Sequence, residues 1–249
     1  MRLAGLLLLG WLYVLDASAD QLVRQHLHEI RTRSALLCAS ALLHFNPHRE
    51  AQDARALASS YDSLNLLATR AVQLGQPEPL ATQLHDMQRL FKDLERLPRG
   101  EAATYPQLLG QLLQRQREVD AWAAEQMAKL DTPQPVTARQ LRWRSLAMAQ
   151  LLLDYQARGY PFASPYTGLA AGEREALDRD LNTAFGAADG VDAAAQATLA
   201  SVRKGYRFVR SQLLASRPRP TSGGVEFYVA RGVIDLDELA ALADGSVAP

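Results

Sequence analysis

The chain has 249 residues, and its 27 Lys and Arg balance 27 Asp and Glu to a formal net charge of zero. That balance argues against a nucleic-acid binder and against a polybasic membrane-surface protein, both of which need a surplus of cations. The one cysteine, Cys38, rules out an internal disulfide, so the fold must hold by packing, with Cys38 itself read as a small buried hydrophobe on a helix.

The first nineteen residues read as an export signal. Arg2 supplies a positive start, Leu3–Leu15 (LAGLLLLGWLYVL) an apolar run of thirteen residues, and Ala17-Ser18-Ala19 a small-residue cleavage site before Asp20. As a helix the run spans roughly 20 Å, short of a ~30 Å hydrocarbon core, so cleavage rather than a permanent anchor is expected. The expectation is a periplasmic protein that is not an integral membrane protein once cleaved. About 230 residues then remain, enough for one large domain or two modest ones.

From residue 20 onward, apolar residues recur in steps of three and four, the helical rhythm. The first helix carries Val23, Leu27, Ile30, Leu37 and Ala41, and Asn46-Pro47 is expected to stop it and start the next. The second carries Leu57, Tyr61, Leu64 and Ala71 and ends at Gly75. The third carries Leu80, Leu84, Met87, Phe91 and Leu94 and closes at Pro98-Arg99-Gly100. A fourth covers about 105–130. DTPQPVT (131–137) is a Pro-rich joint, with Thr137 and Gln140 expected to form a capping box for the fifth helix. Helix six shows Leu177, Leu181 and Ala184. Asp192 is placed to start helix seven, whose stripe is Ala195, Leu199, Val202, Tyr206, Val209 and Leu213.

This spacing predicts an all-α antiparallel bundle of about seven helices. The expected organisation is a signal at 1–19, an N-terminal helical half at 20–131, a C-terminal helical half at 132–216, and a linker and tail at 217–249. In the tail, RPRPTSGG (217–224) reads as a linker and VEFYVAR (225–231) as a short strand. A short helix, opened by Asp235 or Asp237, is expected to follow it through Leu242.

One phrase is written twice. IRTRS (30–34) and LRWRS (141–145) each place Arg-x-Arg-Ser after an aliphatic residue, at the head of a long apolar run. Each opens a three-helix set, 20–97 and 138–215, which suggests an ancestral duplication; chance similarity in an Ala/Leu/Arg-rich chain is the competing account. Residues at i and i+2 on a helix point about 200° apart, so the two arginines of a pair cannot both face one pocket, and one is expected to approach the interior while the other meets solvent. Arg31 or Arg33 beside Ser34, and Arg142 or Arg144 beside Ser145, are therefore candidate anchors for a small anion. The alternative is a surface or salt-bridged Arg, its stem lying on apolar neighbours.

These paired elements resemble the signature in the periplasmic helical sensory domains of type IV pili methyl-accepting chemotaxis transducers and nitrate sensors. The resemblance covers about 15 residues in each half. It implies an extracytoplasmic helical fold and an anion held by an arginine of the element, which falls here on Arg31, Arg33, Arg142 and Arg144. The positions between and before these arginines, Ile30, Thr32, Leu141 and Trp143, depart from the family pattern.

Other chemistry is sparse. The histidines His26, His28, His44, His48 and His85 lack the convergent spacing of a zinc or copper site. DRDLN (178–182) imitates the start of a calcium loop but continues with Thr183 where glycine is needed. No G-x-S-x-G elbow and no cofactor motif is present. The loop GYPFASPYTG (159–168), with Tyr160, Phe162 and Tyr166, either plugs the bundle or meets a partner. Phe227 and Tyr228 are the second partner-contact candidates. The expected function is a non-enzymatic binding module that senses a small anion or serves as a signalling adaptor to an envelope protein. The competing reading is a structural accessory protein of an envelope or export complex, without a small ligand.

Overall fold

The structure is a computed structural model that describes residues 3–49, 52–162, 168–186, 191–216 and 224–246. Side chains are described from residue 19 onward, except at Arg99, Gly100 and Ala102. Among these residues it is all-helical: α1 (Leu3–His44), α2 (Ala54–Gln73), α3 (Glu78–Arg96), a 3-10 segment (Arg99–Thr104), α4 (Tyr105–Ala128), α5 (Val136–Arg158), α6 (Ala171–Ala184), α7 (Ala193–Leu213) and α8 (Gly224–Ala243). Among the residues whose side chains are described, no helix is long and apolar enough to cross a membrane.

Local chemistry sets the helix ends. Asp53 caps α2, its Oδ1 accepting from the backbone N–H of Arg55 and Ala56, both at 3.1 Å. Asp192 caps α7 through the Ala195 N–H at 2.8 Å, satisfying donors that have no partner within the helix. The chain leaves α2 through Gly75 and Gln76, both with positive φ, and the Gln76 N–H reaches back to the Ala71 carbonyl at 2.8 Å. A glycine suits the first of these left-handed positions because it has no Cβ to clash.

Helix α1 packs against α2, α4, α5 and α8, and α3 packs against α4. Helix α5 in turn packs against α6 and α8, and α7 against α8. One continuous hydrophobic core runs through these contacts, from Leu27 and Leu37 on α1 through Phe91 and Leu112 to Leu152, Tyr206 and Val233. Helices α1 and α5 are central. On α5 every residue from Leu151 to Ala157 is buried, a pattern open only to a helix covered on all sides.

Four local expectations are corrected. VEFYVAR is not a strand; it opens α8, where Val225, Val229, Val233, Leu236 and Ala240 face the core. Seven residues rich in β-branched and aromatic types satisfy either period, and burial against α5 and α7 selects the helical one. Asp235 and Asp237 consequently sit inside α8 rather than at its start. Asn46-Pro47 ends α1 but does not begin α2, whose cap is Asp53. Helix α5 begins at Val136 with Pro135 at the cap position and no side-chain cap hydrogen bond, so Thr137 lies inside the first turn rather than at the cap. The helix count is eight plus the 3-10 segment among the described residues.

Candidate functional site

The two Arg-x-Arg-Ser phrases take up four different environments. Arg31 turns to α4 and pairs with Asp120, Nε to Oδ1 at 2.7 Å. Ser34 donates to the Arg31 carbonyl at 3.0 Å. Arg33, two residues on, turns the other way, as helix geometry requires, into a cavity of about 280 Å³ between α1, α2 and α8. Its Nε is buried with no hydrogen-bond partner among the described residues, and Arg55, Ser59, Glu226 and Arg231 share the cavity.

Arg142 and Arg144 are both buried, which corrects the expectation that one of each pair meets solvent: both faces of α5 that carry them are interior. Arg142 Nη2 pairs with the Asp244 carboxylate, while Nε and Nη2 donate to Gln25 Oε1 at 3.1 and 2.9 Å and Nη1 to Gln134 Oε1 at 3.2 Å. Arg144 donates to the carbonyl of Ala184, the last residue of α6, at 2.7 Å. Its guanidinium carbon stands 5.8 Å from the Phe185 ring centroid. A cation at a helix C-terminus meets the negative end of the dipole.

Ser145 belongs to a polar cluster centred on Asp237 of α8. The Asp237 carboxylate accepts from Thr32 Oγ1 at 2.9 Å, from Ser145 Oγ, and from His28 Nε2 at 2.9 Å. Gln25 Nε2 donates to the Asp237 backbone carbonyl at 3.1 Å. Burial pushes the Asp237 carboxyl up, but the charges of His28 and Arg33 and the bonds from His28 and Ser145 outweigh it and hold the group below its ordinary value. Although Ser, His and Asp meet here, the serine donates to the carboxylate and the imidazole faces that same carboxylate. This is a cross-link between α1, α5 and α8 rather than a nucleophile aligned with a base.

Tyr160 is buried and donates to the Phe45 carbonyl at 3.2 Å, with the Phe162 ring 4.6 Å from its own. Tyr166 lies outside the described residues. Among the described residues no group of three or more His, Cys, Asp or Glu side chains could hold a metal ion.

An open concavity lies between α7 and α8. A groove of about 780 Å³ runs between Val202, Gly205 and Phe208 on one side and Phe227, Tyr228 and Gly232 on the other. Phe208 is 67% exposed, Phe227 52% and Tyr228 40%. The three rings form an edge-to-face chain, Phe208 to Tyr228 at 5.2 Å and Tyr228 to Phe227 at 5.4 Å. Lys204, Arg207 and Arg231 rim the groove; the carboxylate there, Asp235, is paired with Arg231 at 2.8 Å. Gly205 lets Tyr228 lie against α7, since a Cβ there would sit 3.3 Å from Tyr228 Cδ1.

No protein-family model matches the chain, and neither a curated protein nor a solved structure does.

Of the partner-contact candidates, Phe227 and Tyr228 lie on this groove while Tyr160 is inside the bundle. Phe208 and Asp237 were missed by the sequence reading. Phe208 did carry a signal: it is a large apolar residue off the buried stripe of α7, directly beside Arg207. Asp237 carried none, because burial of a carboxylate depends on donors far away in the chain.

Proposed function

We propose that the protein is a non-enzymatic adaptor, working outside the cytoplasm, that docks an envelope partner protein across the α7/α8 groove. One observation carries this reading: three large aromatic side chains, 40% to 67% exposed, stand around one concavity. Full burial removes roughly 150–250 Å² per aromatic side chain from water, and the part still exposed at each of the three has a steady cost unless something covers it. Contiguous apolar surface with a polar rim is the usual mark of an interaction site.

The test is a photo-crosslinking residue at position 208 in the exported protein, with position 72, also exposed, as control. A defined adduct from 208 that is absent from 72, and lost on Tyr228→Ala, supports docking. Equal labelling from both positions, or none from 208, removes the reading.

A small anion at Arg33 is a second reading, favoured by the buried Nε with no hydrogen-bond partner among the described residues, at the wall of a cavity shared with Arg55 and Arg231. Thermal stabilisation by nitrate, acetate or phosphate that rises with concentration and vanishes in Arg33→Gln is the expected result. A flat response across these anions would leave the alternative of a structural accessory protein that uses the same aromatic face without a ligand.

A further inference from the structure

We infer that the occupant of the α7/α8 groove is an acidic amphipathic helix about two turns long; this rests on the docking reading above. The chemistry of the groove selects it in three steps.

The first step is electrostatic. The whole chain is neutral, yet α7 carries Arg203, Lys204, Arg207 and Arg210 and no Asp or Glu. Arg210 is committed to Asp178, through Nε at 2.7 Å and Nη2 at 2.5 Å. Lys204 and Arg207 remain as exposed cations on the groove rim, while Asp235 offsets Arg231. The local surplus favours carboxylates on the partner and disfavours a basic one by like-charge repulsion.

The second step concerns the backbone. Among the described residues there is no strand, hence no sheet edge to which an extended peptide could add. An extended segment in this groove would leave its own N–H and C=O groups facing aromatic rings, whereas a helix satisfies them internally.

The third step is length. The lining runs from Ser201 to Phe208 on α7 and from Phe227 to Asp235 on α8. At 1.5 Å rise per residue each wall is roughly 10–12 Å long, which accommodates apolar anchors at i, i+3 or i+4, and i+7. Phe208, Phe227 and Tyr228 would take those anchors, with the partner's carboxylates above Lys204 and Arg207. A concave seat between two helices also suits a helix better than a flat lipid surface.

The experiment uses the full mature chain and hydrocarbon-stapled, fluorescein-labelled helical peptides of about 14 residues. All carry Leu at i, i+3, i+4 and i+7, and the remaining positions are Glu, Gln or Lys. Phosphatidylglycerol vesicles form a separate arm. The expected result is that the Glu peptide binds best and weakens about tenfold between ~50 and ~300 mM salt. Its binding is lost in Phe208→Ser, and the exposed pair Lys204→Glu/Arg207→Glu weakens it about tenfold while admitting the Lys peptide. If the Gln or Lys peptide binds the unaltered protein as tightly, with the same dependence on Phe208, the acidic occupant is wrong and docking survives. Vesicle binding through Lys204 and Phe208 with no peptide bound would overturn the inference in favour of a lipid surface. Should no probe respond to Phe208→Ser and position 208 also give no crosslink, both readings fall together.

Discussion

His28 Nε2 on α1 stands 2.9 Å from Asp237 Oδ1 on α8, and both side chains are 2% exposed. The relationship has counterparts along the same helix. Near its start, Glu226 accepts from Ser40 Oγ at 2.9 Å. Just past its end, Asp244 pairs with Arg142. Three carboxylates thus pin the inward face of α8 to α1 and α5, and the outward face of that pinned helix carries Phe227 and Tyr228. The back of the groove wall is thereby tied to the two central helices.

Removing the central bolt should be costly. Asp237→Ala leaves the buried hydroxyls of Thr32 and Ser145 and the His28 imidazole without the carboxylate they share, and a buried pair broken from one side typically loses about 3–5 kcal/mol. Chemical denaturation should show that loss while the far-ultraviolet spectrum stays helical. The pH dependence follows from the lowered carboxyl. The folded protein holds the ionised form more strongly than the unfolded chain, so this stabilisation is present above the ordinary Asp value of 3.8 and fades as pH falls below it. Asp237→Asn should flatten that acid limb. An unchanged limb would mean that Asp237 is not the group responsible.

Glu226 should behave in the opposite sense. Burial pushes its carboxyl above the usual value, and donation from Ser40 and Ser59 offsets only part of this. The folded state therefore prefers the protonated form, so its contribution is complete below pH 4.5 and is lost as pH rises through the higher folded value. Glu226→Gln, which keeps the acceptor for Ser40, should raise Tm at neutral pH by roughly 2–4 °C, equivalent to about 1 kcal/mol in a chain of this size. The gain should disappear near pH 4. Equal Tm values at pH 7 would contradict the assignment.

The repeated phrase offers a contrast within one motif. Arg142 and Asp244 are 4% and 0% exposed, whereas Arg31 and Asp120 are 18% and 27% exposed. Arg142→Ala should cost about 3 kcal/mol or more, because Asp244 and Gln25 would be left buried without their partner. Arg31→Ala should cost at most about 1 kcal/mol, as solvent screens that pair. Melting curves of the two variants, which differ only in which copy of the phrase is altered, test the difference directly.

Most of the architecture was legible because helical bundles write themselves as a single period. The stripes on α3 and α7 are the buried faces observed, and Asp192 caps α7 as its position suggested. On α2 only Leu64 and Ala71 of the expected stripe are buried; Tyr61 is 43% exposed, and the inner face runs instead through Ala56, Ser60, Ser63 and Leu67, because two serines on the buried face break the apolar pattern. The C-terminal segment misled because a short run such as VEFYVAR fits both periods, and only distant α5 and α7 decide between them. The arginines of the paired phrase could be placed on opposite helix faces from spacing alone. What stood opposite each of them, Asp120, Asp244, the Ala184 carbonyl or an open cavity, depended on contacts across the fold that no local pattern encodes.

Two glycines on the α7/α8 seam should respond differently to the same change. At Gly232 an added Cβ would lie 2.7 Å from Met148 Cε and 3.1 Å from Val202 Cγ1. Both neighbours belong to the buried core, and overpacking of this kind usually costs about 1–3 kcal/mol. The gain of nearly 1 kcal/mol expected for Ala over Gly in a helix does not cover the upper part of that range. Gly232→Ala should therefore be destabilised, and it should cost less in a Met148→Ala background than in the unaltered protein, giving a favourable coupling in a double-mutant cycle. At Gly205 the near atom is Tyr228 Cδ1 at 3.3 Å, on a ring that is 40% exposed and has room to swing outward. Gly205→Ala should leave stability unchanged or slightly raised, yet displace Tyr228 from α7 and weaken docking. If Gly205→Ala instead destabilises as much as Gly232→Ala, the seam is packed throughout and the groove is not an open seat.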